Sequence, residues 1–525
     1  MKISFTLIII FFLQIQLSAQ VTFNLRPSFN HPTVGFLTAI VPTDSCYYAV
    51  GLVRDSLPPH FASSLFAKFD LDGDVEFAKV LSNPESLIET YNHPVIPEGD
   101  NFALIGQSLE INSQNNIRRA SFLKYNTQGD TVFFREYLHP EFPEENFFSP
   151  RGFAKTSDGG YVFCLWISAT DFGVSNTYIM VTKINTIGNI EWQKTFGDNK
   201  WDIAMSVTAA ENGKIVIGGA KSNLNTVTQN YLWQTHIIGL DSLGNQEWSY
   251  LSPPDIQRDG AKEMVLLDDG SLIVASGIGY EQERASVNDM WFEKSVFKLN
   301  PDHELEWEKE FKSAQLGPST TATNLIALSD DSGFIVTGTD TYNPNISWIY
   351  QVQGWIMKMD ANGDSLWTRK YIYPVSEMNI HRFNDIKETP DGGFILCGES
   401  LDIEDNVEIP QQSWLLKLDD HGCLIPGCYT ATEEVENGQL PFKISIYPNP
   451  TTDYLNIYHY FSEAEVWQNG QYRILDSQGR IVEQFAVGQN DVTMVVPVWE
   501  WAKGIYFLQL VVADGVVKTE KFIKN

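Results

Sequence analysis

The sequence has few cysteines, few charged residues and a single long hydrophobic run, and each of these scarcities excludes a class of protein. Five cysteines in 525 residues are too few for a disulfide-built scaffold. Charged residues make up 19% of the chain and leave a formal net charge of −30, so the clustered lysine and arginine that bind nucleic acid are not expected. After the N-terminal run, no stretch is apolar enough to predict a transmembrane helix.

The N-terminal hydrophobic run predicts a signal peptide over residues 1–19. Lys2 supplies the positive charge, residues 3–13 form the apolar stretch, and Ala19 is a small residue just before the predicted cleavage point. A run of this length is too short to cross a bilayer and is typical of a secretory signal. We therefore expect an exported chain whose mature form starts at Gln20.

Two of the five cysteines predict a covalently closed loop. Cys423 and Cys428 flank the Pro-Gly turn of CLIPGC, and outside the inner membrane such a pair can form a disulfide. A metal site built on the same two thiols is the weaker interpretation, because no histidine or further cysteine gives ligand spacing nearby.

Two short patterns alternate seven times between residues 38 and 430 and determine the predicted fold. One is a hairpin with Asp or Asn, two variable residues and Gly; the other is a turn followed by an apolar run. Asx-Gly turns supply the positive φ that tight hairpins require. Four strands per module predict an all-β chain with a seven-bladed β-propeller over residues 20–430. The Asp or Asn recurs every 56 to 60 residues, at Asp70, Asn126, Asn185, Asp241, Asn300, Asp360 and Asp419.

Two further residue types recur with the hairpin. A large aromatic four positions after the turn glycine predicts packing between neighbouring blades rather than a ring for stacking sugars. A lysine two positions before the Asp or Asn, present in six modules, is interpreted as a strand residue near carboxylates rather than as an anion site. The repeats resemble those of bacterial secreted β-propellers. The predicted blade-packing aromatics are Phe77, Phe133, Trp192, Trp248, Trp307 and Trp367.

The last module lacks its fourth strand, because CLIPGC occupies that place. Residues 21–26 have the pattern of the missing strand. We therefore expect them to complete the seventh blade and close the ring, which removes two exposed sheet edges.

One turn is a candidate for metal binding. Asp70, Asp72 and Asp74 alternate around Gly73, and alternating carboxylates before a glycine can bind calcium. The glutamate that closes an EF-hand loop is missing, the other modules lose the acids, and hairpin geometry explains the pattern without a metal. We expect no cofactor, and calcium at these three residues is the one candidate.

After residue 430 the repeat ends. Residues 431–442 are acidic and turn-prone and predict a linker, while short alternating strands over residues 443–525 predict a small β-sandwich. The latter segment resembles the type A C-terminal sorting domain of type IX secretion cargo, and departs from it at Trp499-Glu500-Trp501-Ala502. The resemblance is carried by Tyr447, Pro448, Asn449, Pro450, Leu455, Asp476, Gly479, Gly504, Ile505, Tyr506, Lys518, Lys521 and Lys524.

That resemblance implies recognition by the type IX secretion machinery and a final location outside the cell or on the outer-membrane surface. The sequence contains no His-x-x-x-His pair, Gly-x-Ser-x-Gly elbow or phosphate-binding loop, so no catalytic residue is predicted. We expect a binding module for a glycan or a protein. The alternative is an extracellular hydrolase or lyase that acts on polysaccharide.

Overall fold

The fold is all-β throughout the part of the chain that the structure, a computed structural model, describes. These residues form strands β1 to β37 and no helix, and accordingly no helix with the length and hydropathy to span a membrane. The described residues are 20–29, 34–54, 62–80, 86–89, 95–110, 118–138, 150–171, 174–198, 201–224, 231–254, 257–281, 290–312, 320–343, 351–373, 379–402, 411–424, 442–461, 470–477, 479–487, 492–512 and 515–525.

The first part of the chain contains β1 (Phe23–Leu25), followed by the first four modules. Module 1 comprises β2 (Val34–Pro42), β3 (Tyr47–Arg54), β4 (Ala62–Phe69) and β5 (Val75–Val80). Module 2 comprises β6 (Ser86–Glu89), β7 (Ile96–Glu98), β8 (Asn101–Glu110), β9 (Arg118–Asn126) and β10 (Thr131–Tyr137). Module 3 comprises β11 (Gly152–Lys155), β12 (Tyr161–Asp171), β13 (Val174–Ile184) and β14 (Ile190–Phe196). Module 4 comprises β15 (Asp202–Ala209), β16 (Ile215–Leu224), β17 (Tyr231–Leu240) and β18 (Gln246–Leu251).

The later strands complete the repeat region and form the C-terminal segment. Module 5 comprises β19 (Gln257–Arg258), β20 (Glu263–Leu266), β21 (Leu272–Glu281), β22 (Met290–Leu299) and β23 (Leu305–Phe311). Module 6 comprises β24 (Thr321–Ala327), β25 (Gly333–Asn343), β26 (Gln351–Asp360) and β27 (Ser365–Tyr371). Module 7 comprises β28 (Asn379–Glu388), β29 (Phe394–Asp402) and β30 (Gln411–Leu418). The C-terminal segment comprises β31 (Phe442–Tyr447), β32 (Tyr454–Phe461), β33 (Gln471–Asp476), β34 (Ile481–Ala486), β35 (Val492–Pro497), β36 (Gly504–Val512) and β37 (Gly515–Lys524).

Within each module the strands pair antiparallel and in chain order, from an innermost first strand to an outermost fourth strand. Two short strands take the first place in modules 2 and 5, β1 is the fourth strand of module 7, and a parallel pairing of β26 with β28 joins modules 6 and 7. The hairpin turns between the first and second strands and between the third and fourth therefore share one edge of the sheet, which we call the turn edge. In module 2, for example, the N–H of Thr127 in one turn donates to the carbonyl of Asp100 in the other (3.0 Å). The connections between the second and third strands, and between modules, leave from the opposite edge, which we call the connection edge.

The repeated Asp or Asn forms the third-to-fourth-strand turn with its own side chain. In module 4, Asp241 Oδ1 accepts the N–H groups of Leu243 (2.9 Å) and Asn245 (2.7 Å). Gly244 follows with φ +75°, a conformation that costs a residue with a side chain about 1–2 kcal/mol. The carboxylate thus accepts hydrogen bonds from backbone N–H groups that would have no other partner in the tight turn.

The recurring aromatic of each hairpin contacts the turn glycine of the next module. A Cβ atom on Gly244 would lie 2.9 Å from the ring of Trp192, and one on Gly363 would lie 2.6 Å from the ring of Trp307. Phe77, Phe133 and Trp367 make the same type of contact with the turn glycines of modules 2, 3 and 7. Module 5 has His303 instead, at φ 67°, and its imidazole stacks on Trp248 with the ring centroids 3.8 Å apart. The predicted aromatics therefore lie between modules.

The N-terminal strand joins the two ends of the repeat region. β1 pairs antiparallel with β30, with Phe23 opposite Lys417. The Phe23 ring lies 2.9 Å from where a Cβ of Gly73 would be, in the turn of module 1. Phe23 therefore occupies, between the last module and the first, the place that Trp192 and its equivalents occupy elsewhere.

The innermost strands pack against one another around the repeat. β15 packs on β11 and β20, β24 on β20 and β28, and β28 on β2 of module 1. Bulges interrupt four of these strands at the same level, between Leu37 and Ala39, Ala204 and Ser206, Ala322 and Asn324, and Phe383 and Asp385. Polar side chains beside the bulges bond to the neighbouring module, as when Asn384 Nδ2 donates to the carbonyl of Leu37 (2.7 Å).

The C-terminal segment is a two-sheet sandwich with its own core. One sheet has the strand order β31-β32-β35 and the other β34-β33-β36-β37. Leu455, Ile457, Tyr472, Ile474 and Phe522 are buried together between them. The first strand begins at Phe442, one residue inside the predicted linker, whose other residues, 431–441, lie outside the described ranges.

Candidate functional site

The repeated lysines lie at the turn edge beside carboxylates. Lys68 Nζ is 2.6 Å from Glu76, Lys298 is 3.0 Å from Glu306, and the fully buried Lys417 side chain is 3.0 Å from Asp391. These positive charges are therefore already paired. Such pairing leaves this lysine row little capacity to bind an anionic polymer.

Glu98 is a strongly held carboxylate of this edge. Burial opposes its ionisation, but the ammonium groups of Lys124 and Lys155 outweigh that effect and lower the pKa of Glu98 to about 2. Lys124 Nζ donates at 2.8 Å and Lys155 Nζ at 2.9 Å. Because Glu98 belongs to module 2 and Lys155 to module 3, this carboxylate links two modules.

The calcium candidate residues form an ordinary repeat turn. Asp70 Oδ1 accepts the N–H groups of Asp72 (3.0 Å) and Asp74 (2.9 Å), as Asp241 does in module 4. Across the described residues, no three His, Cys, Asp or Glu side chains gather into a group that could hold a metal ion. Calcium at Asp70, Asp72 and Asp74 stays a prediction, and calorimetric titration with millimolar calcium tests it.

Of the four cysteines within the described residues, three are free thiols and one is in a disulfide. Cys46, Cys164 and Cys397 are buried free thiols, and burial raises the pKa of the Cys164 thiol to about 12. Cys423 is disulfide-bonded. Cys428 lies outside the described residues, so the pairing of these two stays a prediction.

The residues of the C-terminal motif fasten the sandwich to its last strand. Asn449 Nδ2 donates to the carbonyl of Lys521 (3.0 Å), and its Oδ1 accepts the N–H of Ile523 (2.9 Å). Tyr506 stacks on the buried Phe522 with centroids 5.5 Å apart and donates its hydroxyl proton to the carbonyl of Ala502 (2.7 Å). These contacts give Asn449 and Tyr506 structural roles in the fold.

Other parts of the motif are at the surface. Gly504 would have no atom within 4 Å of an added Cβ, so packing does not require glycine there. In the divergent Trp499-Glu500-Trp501-Ala502 stretch, Trp501 packs on Tyr506 with centroids 5.3 Å apart, while the exposed Trp499 meets Tyr454 edge to face. The departure from the motif is therefore compatible with the sandwich core.

At the connection edge of module 4, four titratable side chains come together. Lys221 Nζ lies 3.0 Å from Asp198 Oδ1 and 3.9 Å from Asp202 Oδ1, and His236 Nδ1 lies 3.5 Å from the same Asp202 oxygen. Strand pairing sets this geometry, because Asp202 lies opposite Lys221 on β15 and β16, and β17 brings in His236. We call Asp198, Asp202, Lys221 and His236 the charged cluster.

Asp202 is the most unusual member of the charged cluster. Its side chain is 0% exposed, and its Oδ2 accepts the N–H of Asp198 at 3.3 Å. Among the described residues, neither its Oδ1 nor His236 Nδ1 has a hydrogen-bond partner. An ionised carboxylate in this state is costly unless something compensates it.

Two tryptophans lie at the connection edge of module 4. Trp201 immediately precedes Asp202, is 43% exposed, and contacts Trp233 edge to face with ring centroids 6.1 Å apart. The N–H of Ser222 donates to the Trp201 carbonyl (2.8 Å) and holds that backbone against β16. An exposed aromatic face is a surface on which the apolar faces of sugars or peptides bind.

Sequence reasoning missed the charged cluster and the two tryptophans. A signal exists in the repeat itself, because no other module has a titratable residue at the position of His236. The equivalent residues are Leu65, Ser121, Met180, Ser295, Trp355 and Trp414.

A second unusual carboxyl group lies on an innermost strand. Burial raises the pKa of Glu263, on β20, to about 7. The N–H of Met264 and the charge of Lys387 oppose this rise, and the charge of Asp385 adds to it. Asp385 itself accepts N–H groups from Ile40 and Ile386, both at 2.9 Å. The innermost strands thus hold one carboxyl that is easily protonated and one that is well hydrogen-bonded.

The C-terminal sandwich matches a known family of domains. Residues 445–525 match the family of the secretion system C-terminal sorting domain. The sorting domain contains the predicted motif residues from Tyr447 to Lys521. It supports a type IX sorting tail, and so implies export and a location outside the cell or at its surface. No curated protein matches the chain.

Solved structures resemble the chain only distantly. A puromycin hydrolase mutant has a TM-score of 0.39 and 15% identity over 70% of this chain, which spans 50% of the hydrolase. The NanB sialidase mutant of Streptococcus pneumoniae has a TM-score of 0.37 and 11% identity, covering 78% of this chain and 72% of the sialidase. The β-propeller domain of the Trilobed protease from Pyrococcus furiosus has a TM-score of 0.32 and 10% identity, covering 73% and 92%. Likenesses at this level carry no argument about activity.

Proposed function

We propose that this chain is a type IX secretion cargo of the type A form, with a signal peptide over residues 1–19, whose repeat region is a seven-bladed β-propeller. The sorting domain over residues 445–525 supports the export route. The innermost strands that pack in sequence, and β1 that pairs with β30, support a closed ring of seven modules.

The propeller binds a ligand at its connection edge, and a glycan is the favoured class over a protein. The observation that carries this proposal is Trp201, an exposed indole that lies edge to face against Trp233. A sugar ring stacks its C–H face on an exposed indole.

Glycan and peptide arrays test this binding. We expect glycan hits with the full chain, and we expect Trp201→Ala to lower their affinity at least about tenfold, since a stacked aromatic dominates such sites. Leu243→Ala is the matched control, because Leu243 belongs to the same module, is 67% exposed and lies at the turn edge. Equal effects of the two substitutions contradict the proposed site.

Export is tested by fusing residues 440–525 to a periplasmic reporter in a type IX-competent cell. The fused reporter is expected outside the cell, and the same reporter without the fusion is expected in the periplasm. A fused reporter that stays periplasmic contradicts the export proposal.

The second candidate function is cleavage of polysaccharide, and Glu263 is the observation that favours it. A carboxylic acid that titrates near neutral pH is suited to general acid catalysis when a second, ionised carboxylate works with it. Turnover of each array hit should be assayed with the wild-type chain and Glu263→Gln. Turnover abolished by this substitution would make the chain an enzyme, whereas binding without turnover supports the first proposal.

A further inference from the structure

One sheet of the C-terminal sandwich has two edges that differ sharply. Its strand order is β34-β33-β36-β37, so β34 and β37 are its edge strands. An edge strand carries backbone N–H and C=O groups that no other strand of its own sheet can satisfy. Such groups bond to another segment of the chain, to solvent or to a strand of a partner.

The C-terminal half of β37 is sealed by residues 449–451. The N–H of Thr451 donates to the carbonyl of Ile523 (2.8 Å), and the N–H of Asn525 donates to the carbonyl of Thr451 (2.9 Å). The N–H of Ile523 donates to Asn449 Oδ1 (2.9 Å), and Asn449 Nδ2 donates to the carbonyl of Lys521 (3.0 Å). A further strand therefore cannot add along this half of β37.

The edge of β34 is open among the residues that the structure describes. β34 pairs antiparallel with β33, and the N–H of Val487 just after it donates to the carbonyl of Gly470 (2.9 Å). N–H groups alternate in direction along an antiparallel strand. The N–H of Phe485 therefore points to β33, whereas those of Gln484 and Ala486 point away from it. Gln484 and Ala486 are both exposed.

β34 also lacks the residues that usually protect an edge strand, which are lysine and proline. β37 has Lys518 in its unsealed half, and β35, an edge strand of the other sheet, ends in Pro497. β34 reads IVEQFA and has neither residue type. Its bulge, at Val482, lies near its start and leaves residues 483–486 regular. Ile481 and Val482 are exposed aliphatic residues.

The occupant that these observations favour is an extended strand of the type IX machinery. Residues 445–525 match the family of secretion system sorting domains, and a sorting domain needs a partner in the secretion machinery. Unpaired main-chain groups at a sheet edge are satisfied by a strand that adds to the sheet. A second copy of this chain is disfavoured, because each copy has a net charge of −30 and like charges repel. For the same reason the added strand should be neutral or basic.

We propose that the type IX machinery recognises this chain by adding an extended strand, neutral or basic in character, to the free edge of β34. This inference rests on the proposed type IX export and adds the surface and the mode of recognition. The outward main-chain groups of Gln484 and Ala486 bond to the added strand. The exposed side chains of Ile481 and Val482 contact its side chains.

The experiment is export of the full chain from a type IX-competent cell, measured as the ratio of protein outside the cell to protein in the periplasm. Gln484→Pro removes an outward N–H and leaves the N–H groups that bond to β33 in place. We expect this ratio to fall at least about tenfold, because the added strand loses a donor for one of its carbonyls. Gln484→Ala is the matched control, since it removes the side chain, keeps the N–H and should leave export unchanged. Ala486→Pro repeats the test at the next outward N–H.

Photo-crosslinking tests the same edge without a proline. Gln484→p-benzoylphenylalanine should crosslink the full chain to a subunit of the type IX machinery, which mass spectrometry identifies. Thr519→p-benzoylphenylalanine is the control, because Thr519 is exposed on β37 at the opposite edge of the sheet, and should give no such crosslink. Thermal unfolding of each purified proline variant checks its fold, and the crosslink decides the test if a variant does not fold.

The outcomes separate this inference from the export on which it rests. If the wild-type chain itself stays in the periplasm, the proposed type IX export fails. If the wild type is exported and the folded Gln484→Pro and Ala486→Pro variants are exported equally well, the machinery does not use β34, while type IX export stands. Loss of export in Gln484→Ala would indicate recognition of the side chain and overturn strand addition. A crosslink from position 484 to a second copy of the chain overturns the assignment to the machinery.

Discussion

The turn edge and the connection edge of the modules are built on different principles. At the turn edge the same Asx hydrogen bonds and the same aromatic-on-glycine contact recur, as Trp192 on Gly244 and Trp307 on Gly363 illustrate. At the connection edge, residues that are equivalent by strand pairing differ from module to module. Opposite Gly219 lies His236, whereas opposite Gly338 lies the buried Trp355.

This difference teaches which features serve stability and which serve recognition. A contact that every module repeats must satisfy a need that every module has, namely packing against the next one. The buried Asp202 carboxylate satisfies no such need, and a buried charge destabilises the fold locally. Departures from a repeat's own rule are where a function is expected.

The largest loss of stability at the turn edge is expected when β1 is removed, because this strand pairs with β30 of module 7 and covers the turn of module 1. Deletion of residues 21–27 leaves Gly73 uncovered and exposes an edge of β30. We expect a loss of at least about 4 kcal/mol of stability, because Phe23 and Leu25 leave a packed site. Thermal unfolding measures it, and Val21→Ala, at an exposed position, should be neutral. An unchanged melting temperature after the deletion would mean that β1 does not close the ring.

A smaller loss of stability is expected from disturbing a single contact between two modules, that of Trp307 with Gly363. Gly363→Ala adds a methyl group 2.6 Å from Trp307 at φ +82°, whereas Gly99→Ala adds one at φ +63° with no atom within 4 Å. Both changes impose backbone strain of about 1 kcal/mol, and the first should add about 2 kcal/mol for overpacking. Denaturant unfolding gives the difference between the two variants. Equal losses of stability in the two variants would contradict a packing role for Trp307.

A pH-dependent effect is expected at Glu98, which links modules 2 and 3. Its pKa in the folded chain, about 2, lies below the usual value of 4.5, so its ionised form stabilises the fold. Above pH 4.5, the free energy of unfolding of the wild type should exceed that of Glu98→Gln by about 1–2 kcal/mol, allowing for solvent screening. The difference should disappear as the pH falls from 4.5 toward 2. Urea unfolding over this range measures it, and Glu211→Gln, an exposed change in the turn of module 4, is the control.

The smallest effect on stability belongs to the connection edge. Asp198→Asn should change the free energy of unfolding by no more than about 0.5 kcal/mol, because the Asp198 side chain is largely exposed and its ion pair with Lys221 contributes little. A large loss of stability would place Asp198 among the structural residues and weaken the contrast between the two edges.

The sequence predicts the parts of this molecule that depend on local chemistry. The hairpin turns were predictable because Asp241 and Gly244 carry the whole geometry within four residues. The expected last strand over residues 21–26 corresponds to β1 because the repeat shows where a fourth strand is missing. The tail was predictable because the motif around Asn449 also holds the sandwich together.

The charged cluster was not predictable in the same way. Asp202 meets Lys221 and His236 only through the register of three strands, and a bulge between Ala204 and Ser206 shifts that register by one residue. A bulge has no reliable sequence signal, so alternation along β15 predicts the wrong partner beyond it. The tethers of the innermost strands, such as Asn384 to Leu37, depend on the same irregularity.

The pairing of β1 with β30 has a consequence for chain connectivity. Gln20 hydrogen-bonds to the carbonyl of Asp391 (2.6 Å), and Thr22 to that of Leu424 (2.5 Å), so the beginning and the end of the repeat region are spatial neighbours. A peptide link between them, with new termini in any connection between a second and a third strand, would preserve every strand pairing. If the repeat region is the closed ring of seven modules that we propose, it is circularly permutable and its first residue is one choice among seven openings.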